Sequence, residues 1–433
     1  MDLNRKAAYT VLLSMEKRKS YSNIELNRII NEEKPPSPAF VREIVYGVTE
    51  NRIYIDYFLD SLVSRGLKSV KSSLLVLLRM GVYQIVFMDS VPDYAAVNET
   101  VSLARKVAKG RDGFVNGVLR SFLKKRDSLS LPEREEDECR YLSVKYSCNP
   151  AIVKMWLEQL GSEETEAVLS FSNTSPKTTL RANRLKCDID ELIDLLEQEG
   201  FRPEKSEIST GSCSIEGSGI VDSRFYSDGL CSIQNEESSY AAEVLAPEEG
   251  CTVIDMCAAP GGKTLAMAEI MGNRGRVIAA DIYNHKLNLI DKQAERLGID
   301  IVTTVLQDGT EYNDELAESA DMILADVPCS GLGVIRRKPE IKYKENKDNF
   351  RHLAEKQLKI LENAGKYLKE GGRLVYSTCT INEIENQNVV SDFLSGNGNF
   401  RLVFQRQLLP GSDGCDGFYV ALIEKISRTG GKA

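Results

Sequence analysis

Residues Cys251–Asp281, CTVIDMCAAPGGKTLAMAEIMGNRGRVIAAD, decide the fold of this chain. A short apolar run ends on Asp255, a turn of small residues follows, and a helical pattern begins at Lys263. A second apolar run, 276–280, then ends on Asp281. The order of strand, glycine turn, helix, strand and acid is typical of a parallel nucleotide-binding unit.

The turn in this stretch also indicates what kind of ligand the unit holds. Glycines let a backbone approach a ligand closely, and an acid after the second strand accepts hydrogen bonds from ribose hydroxyls. The turn is neither GxGxxG nor a phosphate loop, because GGKT lacks the first glycine of GxxxxGK[ST]. These features favour a nucleoside cofactor without a polyphosphate, and S-adenosylmethionine fits that description better than NAD or ATP.

Length and composition limit the class of protein. The chain has 433 residues, enough for two or three domains that each bury a core. No apolar run approaches the roughly 20 residues needed to span a bilayer, and the start, MDLNRKAAYT, lacks the apolar core of a secretory signal. Ten irregularly spaced cysteines without a CxxC pair, and only two histidines, favour neither a disulfide framework nor a zinc site. We therefore expect a cytoplasmic protein with reduced thiols, no metal and no membrane contact.

The charge is distributed unevenly along the chain. The formal net charge is −9, but residues 1–130 carry 21 Lys+Arg against 14 Asp+Glu, while the remainder carries 34 against 50. An amino-terminal part with an excess of basic residues can contact a polyanion despite the acidic total, although such a face is also compatible with simple solvation.

Residues 1–130 are expected to form a compact helical bundle. Apolar residues recur at helical spacing, and the stretch 74–87 is apolar enough to be a buried central helix. Three basic features of the bundle are candidate RNA contacts: Arg42, the cluster Arg105-Lys106-Lys109-Arg111, and the segment 120–126. A solvated helix face explains them equally well.

The rest of the chain divides at a proline and an acidic run near residues 131–138. Residues 140–235 mix two helical patterns with short strand-like pieces, which predicts a small α+β domain. From residue 236 to 433, strands and helices alternate with short turns, which predicts a doubly wound parallel sheet. Ligands bind such sheets at the carboxyl ends of the strands. Four acids stand at these predicted ends: Asp255, Asp281, Asp308 and Asp326.

Two cysteines also follow predicted strands, Cys329 in DVPCSG and Cys379 in STCT. A thiolate is the nucleophile needed to attack an electron-poor ring carbon. C5 of a pyrimidine is too weak a nucleophile to take a methyl group directly, but a thiolate added at C6 makes C5 enamine-like. An acid close to N3 assists this addition, and Asp326 is the obvious candidate. Spacing alone does not decide which cysteine attacks.

The motifs CAAPGGKT (257–264), DVPCSGLG (326–333), RRKPEIK (336–342) and YSTCT (376–380) resemble those of the RNA cytosine-C5 methyltransferases of the bacterial Sun/Fmu type. The helical start, with PDYAAVNETVSLAR and FVNGVLR, resembles the antitermination-factor NusB fold. The resemblance covers essentially the whole chain. It implies a Rossmann-like S-adenosylmethionine methyltransferase sheet of α/β class, preceded by an all-α NusB-like bundle and a small α+β domain.

The same resemblance assigns roles to residues. Cys379 is implied as the nucleophile that forms the covalent adduct, Cys329 as an aid to product release, and Asp326 as a contact to the base. The implied S-adenosylmethionine pocket consists of Cys257, Ala258, Ala259, Pro260, Gly261, Gly262, Lys263, Asp281, Asp308 and Asp326.

The expected function is S-adenosylmethionine-dependent methylation of C5 of a specific cytidine in 16S ribosomal RNA, by a monomer acting on naked or early-assembly RNA. The target base must leave its stack to reach Cys379. Three alternatives stay open: a cytidine in 23S or transfer RNA, a non-catalytic RNA-binding or antitermination module, and methylation of an exocyclic amine. The last is disfavoured because its usual signature is [DN]PP[YF] and the sequence here is DVPC.

Overall fold

The structure is a computed structural model that describes residues 2–18, 22–217, 219–343 and 347–426. The last residues of the predicted third domain, 427–433, lie outside this range. Two compact units are present, one of Met1–Thr174 with Ile335–Glu345, and one of Ser175–Val334 with Asn346–Ala433. None of the described helices is both long and apolar enough to cross a bilayer.

The first unit is all-α in its described part. Its helices are α1 (Leu3–Arg18), α2 (Ser22–Glu33), α3 (Pro38–Glu50), α4 (Arg52–Leu62), α5 (Ser72–Phe87), α6 (Asp93–Val107), α7 (Asp112–Lys125), α8 (Glu138–Lys145), α9 (Pro150–Leu160) and α10 (Ser162–Phe171).

Helix α5 is the centre of this bundle, as its sequence predicts. Its residues are buried on every face, including the polar side chains Arg79 and Gln84. A helix that is apolar all round must be enclosed by its neighbours. The buried guanidinium of Arg79 is satisfied by Asp56, with Nε–Oδ1 and Nη2–Oδ2 distances of 2.7 and 2.6 Å. Buried charges persist when they are paired in this way.

A segment from far along the chain completes the first unit. It forms two 3₁₀ turns, Ile335–Arg337 and Pro339–Tyr343. The buried ammonium of Lys342 donates to the main-chain oxygens of Glu50 and Tyr146, each at 3.2 Å, and to the side chain of Asn173. Burial lowers the pKa of Lys342. The segment is therefore held by the polar groups of helix ends and loops.

The second unit contains two sheets. Its elements are β1 (Thr178–Ala182), α11 (Ile189–Gln198), β2 (Pro203–Lys205), β3 (Ser212–Ile215), α12 (Arg224–Ser227), β4 (Cys231–Ile233), α13 (Glu236–Leu245), β5 (Thr252–Asp255), α14 (Gly262–Ile270), β6 (Arg276–Asp281), α15 (Asn284–Leu297), β7 (Val302–Leu306), β8 (Ala320–Asp326), α16 (Lys347–Tyr367), β9 (Leu368–Thr378), α17 (Gln387–Gly396), β10 (Phe400–Leu408) and β11 (Phe418–Lys425).

The smaller sheet is antiparallel, in the order β2-β3-β1-β4. Helix α11 packs on it with an apolar face that includes Leu192 and Leu196. Its amino terminus is fixed by a capping box, in which the Asp188 carboxylate accepts from the main chain of Glu191 and the Glu191 carboxylate accepts from the main chain of Asp188. The predicted α+β character of this region is confirmed.

The larger sheet has the order β10-β11-β9-β8-β5-β6-β7. Strands β5 to β9 pair in parallel, whereas β11 is antiparallel to both β9 and β10. The predicted parallel sheet is present, and two antiparallel strands, β10 and β11, extend it at one edge. An antiparallel partner can follow β10 through a short loop, while a parallel one needs a crossover helix.

The order of the strands fixes where a ligand can bind. From β5 the chain proceeds to β6 and β7 on one side, and then returns to β8 and β9 on the other. A crevice opens at such a reversal, outside the carboxyl ends of the two central strands. Asp255 ends β5 and Asp326 ends β8, so two of the predicted acids border this crevice.

Candidate active site

The predicted nucleoside turn follows the central strand β5, at the carboxyl ends of the strands of the larger sheet. It is held by Asp281, the last residue of β6. One carboxylate oxygen of Asp281 accepts the main-chain N–H of Ala259 at 3.2 Å, and the other accepts that of Tyr283 at 3.0 Å. The N–H of Ala258 donates to the carbonyl of Ala280 at 2.8 Å. These bonds fix the turn to the end of β6.

Gly261 is the residue of the turn that no other amino acid replaces without strain. Its φ of +106° lies in the region that residues with a Cβ rarely adopt. A Cβ added there would also stand 3.0 Å from Cγ1 of Ile290 on α15. The backbone can therefore follow helix α15 closely before α14 begins.

Asp255 is enclosed behind this turn. One of its carboxyl oxygens accepts from the hydroxyl of Thr264 at 2.6 Å, and the other accepts from the N–H of Cys257 at 3.4 Å. Burial raises the pKa of Asp255 to about 7. No cation of the described residues forms an ion pair with Asp255, which supports the turn from inside the protein through its hydrogen bonds.

Cys257 lies among the strand-end acids. Burial raises its pKa well above the usual value, and the carboxylates of Asp255, Asp326, Asp281 and Asp308 raise it further. A thiol in these surroundings stays protonated and is a poor nucleophile. This agrees with its expected place in the turn and not with a catalytic thiol.

Lys263 has a partner that its place in the turn did not predict. Its ammonium donates to Oδ2 of Asp326 and to the hydroxyl of Ser238, each at 2.8 Å. Burial alone would lower the pKa of Lys263, but the carboxylate of Asp326 outweighs it and the net pKa is raised. The sulfur of Cys379 also raises it, so the ammonium lies within electrostatic reach of that thiol.

Asp326 is fixed on both sides at the end of β8. Besides Lys263, it accepts the hydroxyl of Ser377 from β9 at its second oxygen, at 2.8 Å. Its side chain remains 28% exposed, against 12% for that of Lys263. A carboxylate held in this way keeps its direction and is still reachable from the crevice.

The two candidate thiols are neighbours. The sulfurs of Cys329 and Cys379 lie 3.3 Å apart, since the strands that precede them, β8 and β9, are adjacent. The hydrogen bond with Cys379 raises the pKa of Cys329 well above its usual value, and burial adds to this. Four functional groups therefore lie together at the ends of β8 and β9: the two thiols, and the ion pair of Lys263 with Asp326.

Glu385 and Gln357 hold the loop that carries Cys329. The fully buried carboxylate of Glu385 accepts the N–H of Ser330 at 2.8 Å and the amide of Gln357 at 3.1 Å. The same amide nitrogen of Gln357 donates to the carbonyl of Pro328 at 3.0 Å. Sequence reasoning missed both residues, because they lie on a helix and a loop distant in sequence from Cys329.

The backbone on the other side of the thiols is equally close-packed. Gly333 donates to the carbonyl of Cys379 at 3.0 Å and accepts from the N–H of Gly417 at 2.9 Å. A Cβ on Gly333 would stand 1.9 Å from the carbonyl oxygen of Gly417. A glycine is therefore required at 333, where DVPCSGLG ends.

Arg181 connects the smaller sheet to the glycine turn, a second role that sequence reasoning missed. From β1 its guanidinium forms a buried ion pair with Glu269 at 2.6 Å, and it donates to the carbonyl of Gly262 at 2.7 Å and to the side chain of Gln234. Arg181 stands in the stretch TTLRANRLK, residues 178–186, which gives no local indication of a partner as distant in sequence as Glu269.

Asp308 is the one predicted acid without a hydrogen bond to the other site residues in the described part of the chain. Its exposed carboxylate accepts from the N–H and the hydroxyl of Thr310, at 2.9 and 2.7 Å. It stands two residues beyond the end of β7. No group of three or more potential metal ligands occurs among the residues described.

The sheet order, the glycine turn and the strand-end acids together define a Rossmann-like methyltransferase domain. Comparison with known proteins agrees. The family model described as 16S rRNA methyltransferase RsmB/F matches residues 242–424, the NusB family model matches 2–124, and a ferredoxin-like domain of RsmF/B-like methyltransferases matches 151–222.

Individual relatives extend the match to nearly the whole chain. The probable ribosomal RNA small subunit methyltransferase B of Bacillus subtilis is 36% identical, over 97% of this chain and 98% of its own. The crystal structure of PH0851 is 26% identical with a TM-score of 0.83, over 98% of this chain and 99% of that one. A methyltransferase homolog protein from Pyrococcus horikoshii is 25% identical with a TM-score of 0.61, over 67% and 99%. The chain belongs to the 16S rRNA methyltransferase RsmB/F family.

Proposed function

We propose that this protein methylates C5 of one cytidine in 16S ribosomal RNA, with S-adenosylmethionine as the methyl donor and Cys379 as a covalent nucleophile. The observation that carries the proposal is the pair of thiols 3.3 Å apart, beside the ion pair of Lys263 and Asp326. The relatives' activity on small-subunit ribosomal RNA supports the choice of substrate. The domain boundaries at 1–130, 140–235 and 236–433, and the monomeric state, stay predictions.

The residues at the glycine turn fit a nucleoside cofactor. Asp281 uses one hydrogen bond at each oxygen, and a carboxylate oxygen has a further lone pair to accept from a ribose hydroxyl. The next side chain, Ile282, is 49% exposed and offers an apolar surface to a flat base. We assign the pocket to the turn at 257–263 with Asp281 and Asp308. When bound there, S-adenosylmethionine supplies an electrophilic methyl group.

Electrostatics favour Cys379 over Cys329 as the nucleophile. The hydrogen bond with Cys379 and burial raise the pKa of Cys329, so in the proposed arrangement Cys329 is the thiol that keeps its proton and Cys379 is the thiolate 3.3 Å away. The ammonium of Lys263 stabilises negative charge on that same sulfur. Spacing in the sequence could not make this distinction.

In the proposed reaction, the Cys379 thiolate adds to C6 of the cytosine, a C6–S bond forms, and the C5=C6 electron pair moves toward C5. Asp326, held by Lys263 and Ser377, contacts the N3 side of the base. When C5 takes the methyl group, the pair of the broken S–C bond stays with the donor, which becomes a neutral thioether. The C5 proton then passes to solvent water, and cleavage of the C6–S bond restores the double bond and returns the Cys379 thiolate. Cys329 assists this last step.

Trapping experiments test the assignment. With an RNA that carries 5-fluorocytidine at the target, no C5 proton can leave, so the unaltered protein should form a stable covalent adduct. Cys379→Ala should form none and should lose turnover by at least ~10⁴-fold. Cys329→Ala should still attack, and should accumulate adduct on ordinary RNA.

Mapping of 5-methylcytidine with and without the protein tests the substrate. We expect one site to be lost from 16S RNA. Loss only from 23S or transfer RNA would refute the choice of substrate, and a methyl group on the exocyclic amine would refute the chemistry. Undiminished turnover of Cys379→Ala would refute the nucleophile, and RNA binding without any methyl transfer would indicate a non-catalytic module.

A further inference from the structure

The helical unit contains a cleft that the proposed chemistry does not use. It has a volume of about 440 Å³ and lies between the loop that joins α4 to α5 and the loop that joins α6 to α7. Four cationic side chains and no carboxylate line it: Arg65, Lys71, Lys109 and Arg111. We call it the basic cleft.

We propose that the basic cleft binds an unpaired nucleotide of the RNA substrate, with its base on Phe114 and its phosphates on the four cations. This inference rests on the proposed function for the identity of the RNA. It adds a second RNA contact, in the helical unit, to the one at the thiols.

The charge of the basic cleft is available to a ligand. All four cations are exposed, and none forms a side-chain hydrogen bond or ion pair with another residue in the described ranges. The acids that flank the cleft in sequence have other partners. Asp60 accepts the N–H of Leu67 at 2.8 Å, and Asp112 pairs with Arg105 at 3.0 Å. A polyanion therefore meets four cations that have no side-chain partner in the described ranges, which favours binding to phosphates.

The apolar part of the basic cleft favours single-stranded RNA over other polyanions. Its wall includes the nearly buried Val63 and Leu74, and Phe114 at 37% exposure. An aromatic ring beside cations is the arrangement on which the bases of single-stranded nucleic acids stack. An acidic peptide or an anionic lipid surface would use the cations and leave the ring without a partner. The volume lies within the range of pockets that enclose small organic ligands.

Binding of the full-length protein to a fluorescein-labelled unstructured RNA of about 12 nucleotides tests the proposal, within the usual site size for single strands. Phe114→Ala should weaken binding roughly 5- to 150-fold, because it removes base stacking. Lys71→Gln with Lys109→Gln should reduce the slope of log K against log salt by about 1.4, since two phosphate contacts are lost.

The matched control is Lys17→Gln with Lys154→Gln, which removes the same charge at two exposed lysines of the helical unit that do not line the basic cleft. Its affinity should stay within about twofold of the unaltered protein. Equal loss in the control, unchanged binding by Phe114→Ala, or equally tight binding of poly-glutamate or phosphatidylglycerol vesicles would each overturn the proposal.

The binding assay is independent of the methyl-transfer proposal, because it needs neither the donor nor the thiols. If the unaltered protein binds through the basic cleft but methylates nothing, only the proposed function fails. If it methylates 16S RNA and Phe114→Ala changes neither RNA affinity nor KM, the basic cleft proposal fails. Where both hold, Phe114→Ala should raise KM for RNA and leave kcat unchanged.

Discussion

Asp255 is a carboxyl group at the end of a strand whose other residues are apolar or small, and the fold encloses it completely. The raised pKa means that the folded protein holds a proton on Asp255 up to about pH 7, while the unfolded chain releases it near pH 4. Stability from this group is therefore fully present at low pH. It is lost as the pH rises from about 4 to about 7, and then stays constant.

Asp255→Asn should remove this pH dependence. The free energy of unfolding of the variant, relative to the unaltered protein, should increase by about 1.4 kcal/mol per pH unit between about pH 4 and 7. Hydrogen-exchange protection of the β5 amides at several pH values measures it. Asp321→Asn is the control: burial raises the pKa of Asp321, but hydrogen bonds from Lys369 and Thr252 outweigh it and lower the pKa, so its pH dependence lies below about pH 4 and the difference for this variant should stay flat between about pH 4 and 7. If the difference in free energy of unfolding between Asp255→Asn and the unaltered protein stayed constant from about pH 4 to 7, this would contradict the burial of Asp255.

Single residues show how far sequence reasoning reaches at the site. Asp255, Asp281 and Asp326 were predicted at strand ends because each follows an apolar run, and each lies there. The ion pair of Lys263 with Asp326 was not predicted, because it joins the first turn of α14 to the end of β8, which only the sheet order brings together.

At the scale of elements, the loop after β8 depends on α16 and on the loop before α17. Glu385 and Gln357 bind two residues of this loop, Ser330 and Pro328, through their main-chain groups. The position of Cys329 between these anchors is thus set by partners that do not approach the reacting atoms themselves. They are positioning residues.

Glu385→Gln should lower kcat about 10-fold and leave KM for the methyl donor unchanged, because a small displacement of a reacting group is costly. If Cys329 assists release, the covalent adduct should also accumulate on ordinary RNA. Glu383→Gln, an exposed acid two residues away, is the matched control and should behave as the unaltered protein. Parallel loss of adduct formation and turnover would instead show a general structural defect.

The periodicity of apolar residues predicted the buried strands but not the exposed one. The buried strands β5, β6 and β8 are apolar runs and were recognised, whereas β10 was not. Strand β10 is the edge of the sheet, and most of its side chains are exposed, so FRLVFQRQL carries no strong apolar signal. Hydrogen bonds to a neighbouring strand, which no local pattern encodes, make it a strand.

On the scale of the whole molecule, the helical unit is discontinuous in sequence. Composition and periodicity predicted a helical bundle over residues 1–130, but no local signal shows that Ile335–Glu345 belongs to the same unit. Lysines are usually exposed, so the sequence alone predicts that Lys342 lies on the surface. Only the acceptors supplied by Glu50, Tyr146 and Asn173 explain its burial.

Lys342→Met should destabilise the helical unit by roughly 1–3 kcal/mol, because buried acceptors lose their donor while a buried charge is also removed. The chain has one tryptophan, Trp156, which is buried in α9 of this unit, so its fluorescence in urea reports on the unit alone. Lys338→Met, an exposed lysine of the same segment, should leave the midpoint unchanged. Equal midpoints for both variants would contradict the role assigned to Lys342.

The discontinuity of the helical unit also bears on the order of events during synthesis. Lys342 leaves the ribosome about 170 residues after Thr174, which corresponds to roughly 10–35 s at ordinary elongation rates. During this interval the carbonyls of Glu50 and Tyr146 lack the ammonium that satisfies them in the finished protein. The part of the chain made first is thus completed only when most of the second unit has been translated.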